Sequence, residues 1–197
     1  MKVSGYFTPG TFQQYCITSA VYATPIPDGI DLAAVAPLMC GGVSVYAGLK
    51  RGGVQVGDWV VISGAGGGLG HLAIQYARAM GARVIAIDSE SKENLCRELG
   101  ADHFIDFMNF NSDESLCQYI HEKTGGGAKV ALMCSSSIKA YSQAPSWLRF
   151  RGTVVALGIP NAGVGKVVDI YQFITQELRL IGESFRALVN MQINHKV

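Results

Sequence analysis

A glycine-rich turn between two apolar segments is the feature that most restricts the fold of this chain. Residues 59–88 read WVVISGAGGGLGHLAIQYARAMGARVIAID. Residues 59–62 are apolar, apolar residues recur at helical spacing over 69–80, and a second apolar run ends at Asp88. This order predicts a strand, a tight turn, a helix and a second strand that ends in a carboxylate.

The residue types in this turn suit a dinucleotide diphosphate. Free amides and the helix dipole favour an anion at a helix N-terminus. Because Gly67 has no Cβ, a phosphate can approach the backbone there, and Gly70 allows the helix to lie close to the strand. Asp88 follows Gly70 by 18 residues, where a carboxylate accepts hydrogen bonds from ribose hydroxyls and repels a 2′-phosphate. The segment therefore predicts binding of NAD in preference to NADP.

One position departs from the usual glycine pattern. In the register that places Gly67 and Gly70, the first glycine position holds Ala65, and a glycine turn with only a structural role is the alternative interpretation. The cofactor contacts predicted in the turn are Ala65, Gly66, Gly67, Gly68, Leu69 and Gly70.

Composition narrows the class of protein. The 197 residues accommodate one α/β domain with an appendage, and the 49% hydrophobic content indicates strands buried on both faces or a surface that meets another domain or subunit. A net charge of +1 argues against a nucleic-acid partner.

No apolar stretch reaches the ~20 residues of a membrane span and no secretion signal opens the chain, so we expect a soluble, cytoplasmic protein with no membrane partner. The five cysteines lack paired spacing, which argues against disulfides.

Periodicity and turn signals predict the other elements. Further strands are expected over 11–20, 103–107, 128–135, 153–158 and 177–181, and helices near Leu32 with Asp31 as cap, over 92–99 with Ser91 as cap, and over 113–123, 138–150 and 168–176. From Trp59 onward, six strands alternate with helices. This alternation predicts an α/β fold with a doubly wound parallel sheet in the order 3-2-1-4-5-6.

Four segments of the chain together point to a family. They are GTFQQY (10–15), VAPLMCGGVSVYAGLK (35–50), GDWVVISGAGGGLGHLAIQYARAMGARVIAID (57–88) and FIDF (104–107). The chain resembles the zinc-dependent alcohol dehydrogenases of the medium-chain dehydrogenase/reductase superfamily, with most likeness to the yeast and fungal type. The resemblance implies a remnant of a GroES-like catalytic domain over 1–35, a Rossmann NAD-binding domain over 36–182 and an unmatched tail over 183–197.

The resemblance also implies roles for particular residues. Cys40 matches one of three protein ligands to a catalytic zinc, Ser44 matches a position beside the nicotinamide, and Lys92 matches a contact to the cofactor ribose. GTVVALGIP, residues 152–160, is similar to the strand and turn on the nicotinamide side. The contacts implied there are Leu157, Gly158 and Ile159.

The other zinc ligands of that family have no counterpart in this sequence. Cys40 alone does not hold a metal, and none of the four histidines has ligand spacing to a cysteine. We therefore expect the zinc position to be empty in this chain and alcohol dehydrogenase activity to be low or absent, while the adenosine end of NAD still binds.

Three functional hypotheses remain open at this point. The first is the NAD-binding portion of an alcohol dehydrogenase-like oxidoreductase acting on a small-molecule substrate. The second is a non-redox enzyme for dehydration, isomerisation or cyclisation, with Cys40, Ser44, Tyr46 or His71 as acid, base or nucleophile, although packing is the favoured role of Tyr46. The third is a non-catalytic binding or assembly module. The resemblance implies that the sixth strand, which is apolar here at 178–181, pairs with its symmetry mate in a homodimer.

Overall fold

The computed structural model describes residues 10–17, 20, 23–160 and 169–183. The strands in these residues are β1 (Trp59–Ser63), β2 (Arg83–Asp88), β3 (His103–Asp106), β4 (Ala128–Met133), β5 (Leu148–Ala156) and β6 (Arg179–Gly182). The α-helices are α1 (Leu32–Val35), α2 (Gly41–Gly52), α3 (Gly70–Ala79), α4 (Glu93–Glu98), α5 (Asp113–Thr124), α6 (Ile138–Gln143) and α7 (Ile170–Thr175). Short 3₁₀ helices span Ala36–Met39, Glu90–Lys92, Phe107–Asn109 and Ala144–Trp147.

The six strands form one parallel sheet in the order β3-β2-β1-β4-β5-β6. The predicted doubly wound α/β fold and strand order are confirmed. The chain passes from the β3 edge back to the centre, so the order reverses between β1 and β4. Ligands of such sheets bind in the crevice outside the carboxyl ends of the strands at this reversal, which is where the glycine turn lies.

Helices cover both faces of the sheet. All five residues of β1 are buried. Val60 and Ile62 belong to the core cluster under α2 and α3, whereas Trp59 and Val61 belong to the cluster under α5. Because successive side chains of a strand point to opposite faces, a central strand covered on both sides is apolar throughout. This accounts for the high hydrophobic content of the sequence.

The expectation of a strand over 11–20 is wrong for the described part of that segment. Residues 10–17 contain bends and irregular backbone without a strand, and residues 18 and 19 lie outside the described residues. Phe12, Tyr15 and Ile17 are fully or largely exposed. An apolar segment with no neighbouring strand to satisfy its backbone does not form a strand by itself.

Two further local predictions need correction, and one is confirmed. The helix expected over 138–150 ends as α6 at Gln143, because Pro145 lacks an amide proton and the chain continues as a 3₁₀ turn before β5. Ser91 lies inside a 3₁₀ turn, where its hydroxyl pairs with Ser89 Oγ at 3.1 Å, and does not cap α4. Asp31 caps α1 as predicted, accepting from the Ala33 amide at 2.9 Å.

The domain boundaries expected from the sequence stay predictions. The elements from the 3₁₀ helix at Ala36–Met39 through β6 fall within the range 36–182 expected for the nucleotide-binding unit. Most of the predicted tail, residues 184–197, lies outside the described residues. Within the described residues no single helix is long and apolar enough to cross a membrane, although the bent pair Leu32–Met39 and Gly41–Gly52 passes by length and composition.

Candidate functional site

The turn after β1 brings the start of α3 into contact with the end of the strand. Gly64 has φ +73°, a left-handed conformation that side chains disfavour. A Cβ on Gly70 would lie 2.1 Å from Gly64 O and 2.5 Å from Ala65 Cα. Because both neighbours are backbone atoms, no side-chain movement relieves the overlap. Position 70 therefore requires glycine for helix-to-strand packing.

Two backbone amides of the turn are open. The Gly67 amide donates to Gly64 O at 3.1 Å and closes the turn. The amides of Gly68 and Leu69 have no hydrogen-bond partner within the described part of the chain, and Gly68 is exposed. Both directly precede α3, where the helix dipole is positive. The donors available to an anion thus lie one and two residues beyond Gly67, the residue on which the sequence prediction was centred.

Asp88, at the end of β2, is tied to the same turn. Its Oδ2 accepts from the Gly66 amide at 2.8 Å, and its Oδ1 accepts from the Ser89 amide at 2.8 Å. Oδ1 also accepts from the Ser89 hydroxyl at 3.5 Å, whereas Oδ2 keeps a second lone pair for a further donor. A Cβ on Gly66 would lie 2.6 Å from Lys92 Cβ, so the Lys92 side chain crosses directly over the turn.

An apolar cavity of about 600 Å³ lies between the start of α2 and the edge formed by β5 and β6. Its lining includes Cys40, Ser44, Leu69, Leu157, Gly158 and Ile159. The structure therefore brings together the residues that the sequence assigned to the nicotinamide side and one residue of the glycine turn.

The segment after β5 is held firmly at this apolar cavity. The Tyr141 hydroxyl donates to Gly158 O at 2.6 Å, and burial together with the Cys134 thiol raises the pKa of Tyr141 to about 12. A Cβ on Gly158 would lie 2.2 Å from Ser135 O. The tyrosine hydroxyl therefore stays protonated at neutral pH and keeps donating to this carbonyl.

Cys40 has no companion metal ligands among the residues that the structure describes. The thiol is exposed at the N-cap of α2, and Ser44 Oγ donates to Cys40 O at 3.0 Å. No group of three or more His, Cys, Asp or Glu side chains in the described residues is arranged to hold a metal. A catalytic zinc needs three protein ligands. The described residues therefore do not fit that metal.

Tyr46 and His71 lie away from the apolar cavity. The Tyr46 ring meets the Tyr76 ring edge to face, with centroids 6.1 Å apart. His71 Nδ1 lies 2.9 Å from Gly67 O, at the start of α3. Of the four candidate catalytic residues, the structure places only Cys40 and Ser44 in that cavity.

A second cavity, of about 390 Å³, opens at the carboxyl ends of β1, β2 and β4 on the α5 side of the sheet. Its lining includes Asp88, Phe107, Phe110, Ser135, Ser136, Ser137 and Trp147. Apart from Asp88, sequence reasoning missed these residues. For Phe107 and the three serines, the position just after β3 and β4 is the signal that identifies them, because ligand contacts of a doubly wound sheet come from these connections.

Comparisons with known proteins agree with this geometry. A family model described as zinc-binding dehydrogenase matches residues 68–193. Alcohol dehydrogenase 2 of Emericella nidulans is 47% identical over 191 residues, covering 93% of this chain and 52% of that protein. The alcohol dehydrogenase of Schizosaccharomyces pombe is 42% identical over 183 residues, covering 92% and 51%.

A solved structure shows the same architecture. The alcohol dehydrogenase of the hyperthermophilic archaeon Aeropyrum pernix superposes with a TM-score of 0.79 and 27% identity, covering 100% of this chain and 58% of that one. The chain spans about half the length of the curated relatives it matches.

Replacing Gly70 with alanine should destabilise the protein. The added Cβ overlaps backbone atoms of the turn, so we expect the free energy of unfolding to fall by about 1–3 kcal/mol in urea denaturation. Gly68→Ala is the matched control, since its Cβ meets no atom within 4 Å, and it should change stability by less than about 0.5 kcal/mol. Equal stabilities of the two variants would contradict the packing role of Gly70.

The cysteines should divide into reactive and protected thiols. Burial raises the pKa of Cys134 to about 12, and burial together with the Asp88 carboxylate, opposed by Lys92, raises that of Cys96 to about 11. At pH 8, labelling with an aromatic disulfide reagent should modify exposed Cys16 and Cys40 in the native protein, and Cys96 and Cys134 only after unfolding. Cys40→Ser should remove one fast-reacting thiol. Fast labelling of Cys134 in the native state would contradict this division.

Proposed function

Because the chain belongs to the zinc-binding dehydrogenase family, we propose that it is the NAD(H)-binding portion of an alcohol dehydrogenase-like oxidoreductase. The observation that carries the proposal is the pairing of two open amides, Gly68 and Leu69, with the Asp88 carboxylate beside them. The amides suit a diphosphate, and the carboxylate suits a ribose whose hydroxyls are unmodified.

Each end of the cofactor has residues suited to it. The amides of Gly68 and Leu69 would donate to the diphosphate, and the free lone pair of Asp88 Oδ2 would accept from the adenosine ribose. A 2′-phosphate would bring negative charge against Asp88, which supports NAD over NADP. At the other end, Ser44 and the 157–159 segment border the apolar cavity in which the nicotinamide would lie.

The apolar cavity supplies conditions for hydride transfer. Bound NAD⁺ would supply the hydride acceptor for oxidation of an alcohol, in which the carbon gives up a hydride, the hydroxyl gives up a proton to solvent and a carbonyl compound is left. Leu69 and Leu157 give this cavity an apolar lining, against which a nicotinamide ring would pack. Tyr141 fixes Gly158 through its hydroxyl, and that contact holds the backbone against which a nicotinamide ring would be oriented.

These residues do not provide the zinc-dependent step of the reaction in zinc-dependent relatives. Cys40 is exposed and lacks companion ligands in the described part of the chain. We propose that this chain alone interconverts alcohols and carbonyls slowly or not at all, and that a small alcohol or carbonyl compound is the substrate where the remaining zinc ligands are supplied. Its family and the names of its curated relatives support this substrate class.

The non-redox alternative has little support in the apolar cavity. Ser44 Oγ donates to Cys40 O, and the Tyr141 hydroxyl donates to Gly158 O with a raised pKa. Hydroxyls committed in this way are poor general bases. Dehydration, isomerisation or cyclisation therefore remains a hypothesis without a specific observation in its favour.

We also propose that the chain forms a homodimer through β6. In the described sheet, β6 pairs only with β5, and its Leu180 is half exposed. Ile170 and Ile174 of α7 are also exposed apolar residues. An uncovered edge strand with apolar side chains favours pairing with another strand. Sedimentation at about 50 µM should therefore give the mass of a dimer, and a monomer would contradict this proposal.

The cytoplasmic location expected from the sequence stays a prediction.

Cofactor binding tests the proposed function directly. Calorimetric titration should show that NADH binds more tightly than NADPH. Asp88→Asn keeps an acceptor for the Gly66 amide and removes the charge, so NADH affinity should fall about tenfold and the preference over NADPH should shrink.

Asp106→Asn is the matched control for this titration. Asp106 pairs with Asp88 in the β2–β3 register, but its carboxylate accepts from the Met108 amide. Its replacement should leave both affinities unchanged. Absence of NADH binding at about 1 mM, or a stronger affinity for NADPH in the unmodified chain, would reject the proposed function.

A further inference from the structure

The opposite end of the sheet carries an aromatic platform with cations around it. Trp59, Arg83 and His103 begin β1, β2 and β3, and Trp59 pairs directly with Arg83. Their side chains share one face of the sheet, because each lies two residues before a member of the α5-side core cluster: Val61, Ile85 and Ile105.

The platform fixes the arginine in place. The Arg83 guanidinium carbon lies 3.9 Å from the Trp59 ring centroid, a cation–π contact. The His103 ring stacks on the same indole, with centroids 5.6 Å apart and 22° between the planes. Trp59 itself is 8% exposed, so the core holds it rigidly. Arg83 and His103 are thereby pre-oriented at the rim.

Lys123 adds a second cation from the helix that covers this face. It follows Ile120 by three residues and Leu116 by seven, and both of those are buried in the same core cluster. This helical spacing places Lys123 on the sheet-facing side of the last turn of α5. Its ammonium nitrogen lies 5.3 Å from the Tyr119 ring centroid.

The donors of these cations are unused. Of the arginines that the structure describes, Arg83 is the one whose guanidinium makes no hydrogen bond or ion pair. The other six make such contacts: Arg51, Arg78, Arg97, Arg149, Arg151 and Arg179. The Lys123 ammonium also has no hydrogen bond or ion pair within the described residues. Charged donors without partners at one rim favour an anion.

The electrostatics around His103 agree with an excess of positive charge. Partial burial lowers the pKa of His103, the Lys123 charge lowers it further, and smaller effects come from Arg83 and Arg97. Asp102 is the acid that opposes them. That carboxylate is already occupied by Arg78 Nη1 at 3.1 Å and by the Val84 amide at 2.7 Å.

We propose that Arg83, His103 and Lys123 form a second anion site, specific for a phosphoryl group, at the amino-terminal rim of the sheet. The planar fork of Arg83 matches two phosphate oxygens, and the Lys123 ammonium acts as a point charge. His103 donates to a third oxygen when protonated. Inorganic phosphate and phosphate monoesters share this chemistry.

The second anion site is separate from the proposed cofactor site. Arg83 begins β2 and Asp88 ends it, so at about 3.3 Å per residue the two sites lie about 16 Å apart on opposite ends of the strand. A cofactor bound at Asp88 therefore does not occupy the position of His103, and the His103 side chain reports on the second anion site.

The test is an NMR titration of the His103 imidazole in the full chain, with a His103→Gln spectrum for assignment. Inorganic phosphate and glycerol 3-phosphate are added in separate series against sodium chloride of equal ionic strength. The bound anion should raise the pKa of His103. Arg83→Gln should weaken binding at least about tenfold, and Arg83→Lys, which keeps the charge and loses the fork, should give an intermediate affinity.

Lys50→Gln is the matched control, because it removes an exposed charge at the end of α2, on the other face of the sheet. It should leave the affinity unchanged. Saturable binding of either ligand that depends on Arg83 supports the proposal, and the series that saturates distinguishes free phosphate from an ester. A His103 shift that chloride reproduces, equal affinities in the Arg83→Gln and unmodified chains, or no binding of either ligand would overturn it.

Discussion

The contact between the start of α3 and the end of β1 is the constraint on which the site depends. Without a Cβ at Gly70, the first turn of the helix approaches Gly64 O and the Ala65 backbone. That approach aims the positive end of α3 at the carboxyl edge of the sheet and leaves the Gly68 and Leu69 amides open. Asp88 then ties β2 to the same turn through the Gly66 amide, so the diphosphate donors and the ribose acceptor form one rigid unit.

Much of this arrangement is predictable from the sequence because it is local. The strand from Trp59, the helix after Gly70 and the strand ending at Asp88 are contiguous, and their periodicities and glycines predict the turn and its acid. The family resemblance adds Cys40, Ser44 and the 157–159 segment, which the structure collects around one cavity.

The remainder depends on contacts distant in sequence. The sequence does not show that the Gly67 amide donates to Gly64 O, because that hydrogen bond depends on how tightly the turn closes. The serines after β4 and Phe107 line one cavity with Asp88 only once the strands are ordered in the sheet. The segment at 11–20 contains residues that favour a strand, but strand formation requires a neighbour, and the described residues provide none there. The residue pattern of a segment indicates only its propensity for a strand, and a neighbouring strand decides whether the strand forms.

The central claim is that the open amides of the glycine turn bind the cofactor diphosphate. The most direct measurement is the ¹H–¹⁵N spectrum of the chain during titration with NADH. The account predicts that the Gly68 and Leu69 amide resonances shift and saturate together, at the affinity measured by calorimetry, because hydrogen bonds to phosphate oxygens deshield these protons. Binding of NADH that leaves both resonances unmoved would contradict it.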